Sequence, residues 1–203
     1  CTYEYVSTNK PVYFDGHGPF YSYEVKLPGG FRYGDEYQQS AEKNVRICQG
    51  EDVPVCPLTN GNYIIVNKKS QKVLTIASGS TENSAPIVQY TERNYNYQQW
   101  TLEALTDNGG DLSGYYIHSL RSAFMNIETG GFQVKEGATV SVYTTTKGEN
   151  QRWAFEYAGD GYYKIRNYQS GLYLEVVDGS TSNNANVRLC ANATEDHQLW
   201  KFL

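Results

Sequence analysis

The chain has 203 residues, with 17 Lys plus Arg against 22 Asp plus Glu, a net charge of −5 and only 19% charged residues. Nineteen tyrosines, 19 glycines and a single methionine point to β structure with many turns, and argue against helix bundles, coiled coils and helix-rich α/β enzymes. The absence of a basic cluster speaks against duplex nucleic acid and anionic membranes as partners, and no apolar stretch reaches the roughly 18 residues of a membrane-spanning helix.

Residues 1–60 come first and differ from the rest. They hold three of the four cysteines (Cys1, Cys48, Cys56) and five of the six prolines. Short β segments are expected at Tyr21–Val25 and Val45–Ile47. Sixty residues make a thin core, so this segment reads as a small β-rich extension, disulfide-stapled and packed on the remainder of the chain. It is too small for a catalytic domain. Asp15-Gly16-His17-Gly18 reads as a polar turn, since no nucleophile motif accompanies it. No metal is expected: Cys48 and Cys56 are eight apart, and His17, His118 and His197 are scattered, which is not zinc spacing. The chain opens on Cys1 and not Met, as it would after removal of a leader, in a trimmed piece of a longer chain, or at a lipidated cysteine.

From residue 61 onward the chain repeats. One unit runs from Tyr63-Ile64-Ile65-Val66-Asn67 to Gln98-Gln99-Trp100. The next runs from Tyr116-Ile117-His118-Ser119 to Gln151-Arg152-Trp153, and the last from Tyr163-Lys164-Ile165-Arg166-Asn167 to Gln198-Leu199-Trp200. Trp100, Trp153 and Trp200 are the only tryptophans, spaced 53 and 47 apart. Ten residues before each stands a matched position: Tyr90, Tyr143 and Cys190. Earlier in each unit an apolar run (Val73–Ile76, Phe124–Ile127, Tyr173–Val176) precedes a turn rich in small residues. Each unit therefore predicts four short strands, over about 61–105, 114–158 and 161–203. Three such units predict an all-β assembly closed on itself, because free strand edges invite aggregation. The tryptophans are structural in this reading, and each Gln holds backbone near a turn. Asp107-Asn108-Gly109-Gly110-Asp111 reads as a linker turn; it lacks the ligand spacing of a calcium loop.

Three repeats ending in Gln-x-Trp, with Val66–Leu74 and Arg166–Leu174 close to the typical repeat, resemble the ricin-type β-trefoil lectins. The resemblance covers about residues 61–203 and implies a β-trefoil preceded by the Cys-containing extension. It also implies non-enzymatic carbohydrate binding without a cofactor. In this family an acid, an aromatic ring and an Asn-Gln pair converge in each working repeat. The ring stacks on the apolar face of a sugar, and the acid and amides bond its hydroxyls. The second repeat is expected to match best, with Asn126 in the acid position, Tyr143 as the ring and Asn150-Gln151 as the pair. The third offers Glu175, His197 and Gln198, with Cys190 where the ring should be. The first offers Thr75, Tyr90 and Gln98.

Four cysteines fit an oxidising compartment. Three pairings are open, and Cys48–Cys56 with Cys1–Cys190 is the expected one. The resulting expectation is a secreted lectin for galactose, N-acetylgalactosamine or related glycans and glycoproteins. The alternatives are a targeting subunit of a toxin or complex that meets a partner protein through residues 1–60, or a trefoil interaction or inhibitor module with degenerate sugar sites.

Overall fold

The computed structural model describes residues 23–27, 31–33, 36–38, 43–47, 58–105 and 114–203. In the N-terminal part β1 (Tyr23–Leu27) pairs antiparallel with β4 (Lys43–Ile47), and β2 (Phe31–Tyr33) with β3 (Glu36–Gln38). Part of the expected Tyr21–Val25 segment and all of Val45–Ile47 thus lie in strands. Cys1, Cys48, Cys56, Asp15–Gly18 and Asp107–Asp111 lie outside the described residues.

The rest is one 13-stranded antiparallel system. The first repeat supplies β5 (Gly61–Tyr63), β6 (Ile65–Asn67), β7 (Val73–Ile76), β8 (Ala85–Tyr90) and β9 (Trp100–Ala104). The second supplies β10 (Tyr115–Ser119), β11 (Ser122–Thr129), β12 (Val140–Thr144) and β13 (Arg152–Gly159). The third supplies β14 (Tyr162–Asn167), β15 (Tyr173–Val176), β16 (Ala185–Cys190) and β17 (Trp200–Phe202). With β5 and β6 taken as one strand broken at Ile64, each repeat has its four strands.

The outer strands of the repeats close a barrel: β5 pairs with β9, β9 with β10, β10 with β13, β13 with β14, β14 with β17, and β17 with β6. Closure leaves no barrel edge open. The inner hairpins β7–β8, β11–β12 and β15–β16 join one another through β8–β12, β8–β16 and a Thr139–Arg188 bridge. This is a β-trefoil, as the repeats predict.

The Gln-x-Trp signature explains itself in the structure. Trp100, Trp153 and Trp200 are fully buried in one apolar core with Ile65, Ile117 and Ile165. Each indole N–H donates to a carbonyl of its own repeat's second strand: Leu74 at 3.0 Å, Ile127 at 2.9 Å and Leu174 at 3.1 Å. Each Gln amide oxygen accepts backbone N–H bonds from the preceding loop: Arg93 for Gln98, Thr146 for Gln151, Thr194 and Glu195 for Gln198. The turn after each second strand needs a left-handed residue, met by Ser78 (φ 55°), Gly131 (φ 63°) and Asp178 (φ 54°) at equivalent positions.

One element breaks the threefold pattern. Asn67 and Asn167 are wholly buried and occupy equivalent places after the first strand. Each holds its own turn through Oδ1, which accepts from the Ser70 and Ser170 backbones at 3.2 and 3.1 Å. Each also reaches the Gln-x-Trp loop of a neighbouring repeat: Asn67 Nδ2 donates to the His197 carbonyl at 2.9 Å, and Asn167 Nδ2 to that of Asn150 at 3.0 Å. The second repeat has Leu120 there. Its chain turns tightly instead, with Ser119 opposite Ser122, so β11 starts early and runs eight residues where β7 and β15 run four. Replacing Asn167 with Ala orphans buried backbone groups on both sides of a seam. The expected loss is about 1–3 kcal/mol, measured as a shift of the urea midpoint at unchanged slope.

Candidate functional site

The candidate sites lie where the second strand of each repeat faces its third strand and its Gln-x-Trp loop. In the first repeat Thr75 is buried, donates to the Val73 carbonyl at 2.9 Å and accepts from Gln98 Nε2 at 3.3 Å. Gln98 also donates to the Thr91 carbonyl. Tyr90 is half-buried opposite Val73. Tyr97, where the amide of an Asn is expected, stacks on Tyr95 with ring centroids 4.9 Å apart. This repeat brings no carboxylate to its pocket.

In the third repeat Glu175 and Gln198 do meet, with Gln198 Nε2 donating to Glu175 Oε2 at 2.9 Å. His197 Nε2 lies 3.4 Å from the same oxygen. The other oxygen is taken by Arg188, whose Nε is 2.7 Å away. Arg188 sits directly across the strand pair from Glu175. Burial alone pushes the Glu175 carboxyl up; the bonds from Gln198 and Arg188, with the Arg188 charge, outweigh it and hold the group below the usual glutamate range. The carboxylate is thus satisfied within the protein. Cys190, at the ring position, is buried and has no disulfide partner among the described residues, which do not include Cys1; its thiol approaches the carbonyls of Tyr173 at 3.4 Å and Asn192 at 3.2 Å. Burial, with the Glu175 charge next, pushes that thiol up to about 12.

The second repeat requires a correction. Asn126 does not occupy the acid position. It is fully buried, pairs across the strands with Tyr143, and its amide has no partner among the described residues. The residue that meets the amide pair is Glu128. Its Oε2 accepts from Asn150 Nδ2 at 2.9 Å and Gln151 Nε2 at 3.3 Å. Gln151 Nε2 also donates to the Thr144 carbonyl at 2.9 Å. Three structural equivalences fix the assignment. Trp153 bonds the Ile127 carbonyl as Trp100 bonds that of Leu74 and Trp200 that of Leu174, so the next residues along the chain, Glu128, Thr75 and Glu175, are equivalent.

The early start of β11 is the physical reason for the two-residue offset. It places Phe124 and Met125 in an apolar run that mimics the Val73-Leu74 pair. A signal was nevertheless present: Thr75, Glu128 and Glu175 each stand 25 residues before their tryptophan and 15 before Tyr90, Tyr143 and Cys190. Asn126 breaks both spacings.

Glu128 also differs electrostatically from Glu175. Ser141 stands across the strand pair where the third repeat has Arg188. Burial pushes the Glu128 carboxyl above the usual range, against the opposing bonds from Gln151, Asn150 and the Gly131 backbone. Glu128 is thus a buried acid (5% exposed) held by neutral donors alone. Tyr143, half-buried on β12, shares its strand face with Ser141, because alternate residues point the same way.

A shallow cleft lined by Thr101, His118, Ser119, Leu120 and Ala123 includes none of these residues. Among the described residues no group of three His, Cys, Asp or Glu is placed to hold a metal, and no helix is long and apolar enough to cross a membrane.

Comparison with known proteins bears on the same region. A family model described as ricin-type beta-trefoil lectin domain-like matches residues 53–143 and 149–203. A designed threefold-symmetric protein, ThreeFoil, is 32% identical over 70% of this chain and 97% of its own, with a TM-score of 0.66. An exo-β-1,3-galactanase from Clostridium thermocellum is 31% identical over 79% of this chain, with a TM-score of 0.64; the match spans 32% of the galactanase. The Macrolepiota procera ricin B-like lectin, solved with lactose, shares the fold at 17% identity and a TM-score of 0.58, over 71% of this chain and 96% of its own. No curated protein matches the sequence.

Proposed function

The chain belongs to the ricin-type β-trefoil lectin family, and from that premise we propose that it binds a galactose- or N-acetylgalactosamine-type glycan through the second repeat alone. Family and fold support non-catalytic carbohydrate binding. The observation that carries the choice of repeat is Glu128, a buried carboxylate with amide donors on one oxygen and no cation opposite it. In the proposed complex Glu128 accepts from one or two sugar hydroxyls, Asn150 holds the acid and the sugar edge, and Tyr143 stacks on the ring's apolar face. Glu175 is closed by Arg188, and Thr75 supplies no charge. The chain is accordingly monovalent, and avidity within one chain plays no part. Secretion is part of the same proposal, resting on the even cysteine count.

A titration across pH tests this. The ionised carboxylate is the stronger acceptor, so affinity is full above the Glu128 pKa and falls as pH drops through it. Burial raises that pKa, so affinity should begin to fall at a pH above the usual glutamate value of about 4.3. A pH-independent affinity across the acidic range contradicts the role given to Glu128.

A second reading, a targeting module serving a larger assembly, draws on one observation: in the galactanase the matched region is 32% of the chain. Co-purification of a partner lost on deletion of residues 1–60 tests it.

A further inference from the structure

The early start of β11 reshapes the face beside the second-repeat pocket. The pairs Glu128–Ser141 and Asn126–Tyr143 sit side by side across β11 and β12, and alternation brings Phe124 to the same face. The strands remain joined that far, since the Thr145 backbone N–H donates to the Phe124 carbonyl at 2.7 Å. Phe124 is thus the diagonal neighbour of Tyr143, at about 7–8 Å. It is 77% exposed, the highest value among the large apolar side chains of the described residues. The equivalent residues of the other repeats are Gln71 and Gly171, in loops closed by Asn67 and Asn167. Only the second repeat presents an aromatic ring there.

Polar atoms accompany the ring. Asn126 Nδ2 and Oδ1, Ser141 Oγ, Thr145 Oγ1 and Asn150 Oδ1 are buried without a partner among the described residues. Buried polar groups are rarely left so. Their equivalents in the first repeat are Val73, Val88, Glu92 and Tyr97, and in the third Tyr173, Arg188, Asn192 and His197; none of these has such an atom. Among the described residues, five of the eight such atoms belong to the four side chains of Asn126, Ser141, Thr145 and Asn150.

We propose that Phe124 is the platform of a second subsite, which takes the next pyranose ring of a glycan whose terminal sugar lies at Glu128 and Tyr143. The ligand class is then an oligosaccharide of at least two residues, running along the β11–β12 row. This rests on the second-repeat reading above. Phe124 offers its flat face to the apolar side of a sugar ring, while the neighbouring unpaired groups meet hydroxyls.

The test is calorimetric titration of the full chain with methyl β-D-galactoside, lactose and β-1,3-linked galactobiose. Wild type is expected to prefer at least one disaccharide over the monosaccharide by roughly tenfold. Phe124→Ala should abolish that preference with monosaccharide affinity unchanged, Phe124→Trp should restore it, and Glu128→Gln should lose all three ligands. Equal disaccharide affinity in wild type and Phe124→Ala overturns the subsite but leaves the Glu128 pocket standing. A wild type that binds none of the three removes the pocket and the subsite together. A wild-type dimer that Phe124→Ala converts to monomer, with sugar affinity unchanged, overturns the subsite in favour of an interface between copies of the chain.

Discussion

Trp153→Ala is expected to destabilise the trefoil by about 3–5 kcal/mol, as full truncation of a buried aromatic does. The indole has no exposed surface, so its removal opens a cavity in the core shared by all three repeats. It also strips the Ile127 carbonyl of its 2.9 Å donor, which adds an unsatisfied buried group. Domains of this kind have only about 5–15 kcal/mol of total stability, so the variant should unfold at far lower denaturant. Trp100→Ala and Trp200→Ala should behave alike, because each indole makes the same bond to the same strand position. The half-buried Tyr143 truncated to Ala should cost much less. Equilibrium unfolding followed by circular dichroism separates these cases. A Trp153→Ala loss below about 1 kcal/mol would show that the tryptophans do not anchor the repeats.

Glu128→Gln should lose glycan affinity by a factor of about 10 to 150, the equivalent of about 1.5–3 kcal/mol for a hydrogen bond to a charged group. The sign of its stability effect is separate. The folded-state pKa of Glu128 is raised, so its ionised form is the one the fold disfavours: the group's contribution is fully present below the unfolded pKa of about 4.3 and is lost as pH rises through the higher folded value. Removing that charge should therefore leave the protein folded at neutral pH, with a denaturation midpoint no lower than wild type. Glu175 runs the other way. Its folded pKa is lowered, so it stabilises above the ordinary glutamate value and that contribution is lost as pH falls through the folded one. Glu175→Gln should thus weaken the fold at neutral pH and leave glycan affinity alone.

Much of the architecture was legible because it repeats. A tryptophan that must reach the same core depth three times imposes a fixed spacing, and Gln two residues before it must hold the same loop. The second-repeat acid was not found by matching apolar runs. Phe124-Met125 looks like Val73-Leu74, and nothing in Ser119-Leu120-Arg121-Ser122 announces a tight hairpin in place of the Asn-x-x-Ser turn of Asn67–Ser70 and Asn167–Ser170. Counting back from Trp153 by the interval of the other two repeats leads to Glu128 directly. The closure of Glu175 by Arg188 was hidden for another reason. It depends on which residue faces the acid across a strand pair, and that register becomes visible only once β15 and β16 are laid side by side.

A single working pocket is the central claim, so the number and place of bound sugars test it most directly. Native mass spectrometry of the chain with methyl β-D-galactoside and with lactose counts them. One glycan per chain is expected, lost in Glu128→Gln and kept in Glu175→Gln and Thr75→Ala. Two or three bound glycans, or one that survives Glu128→Gln, would contradict the claim.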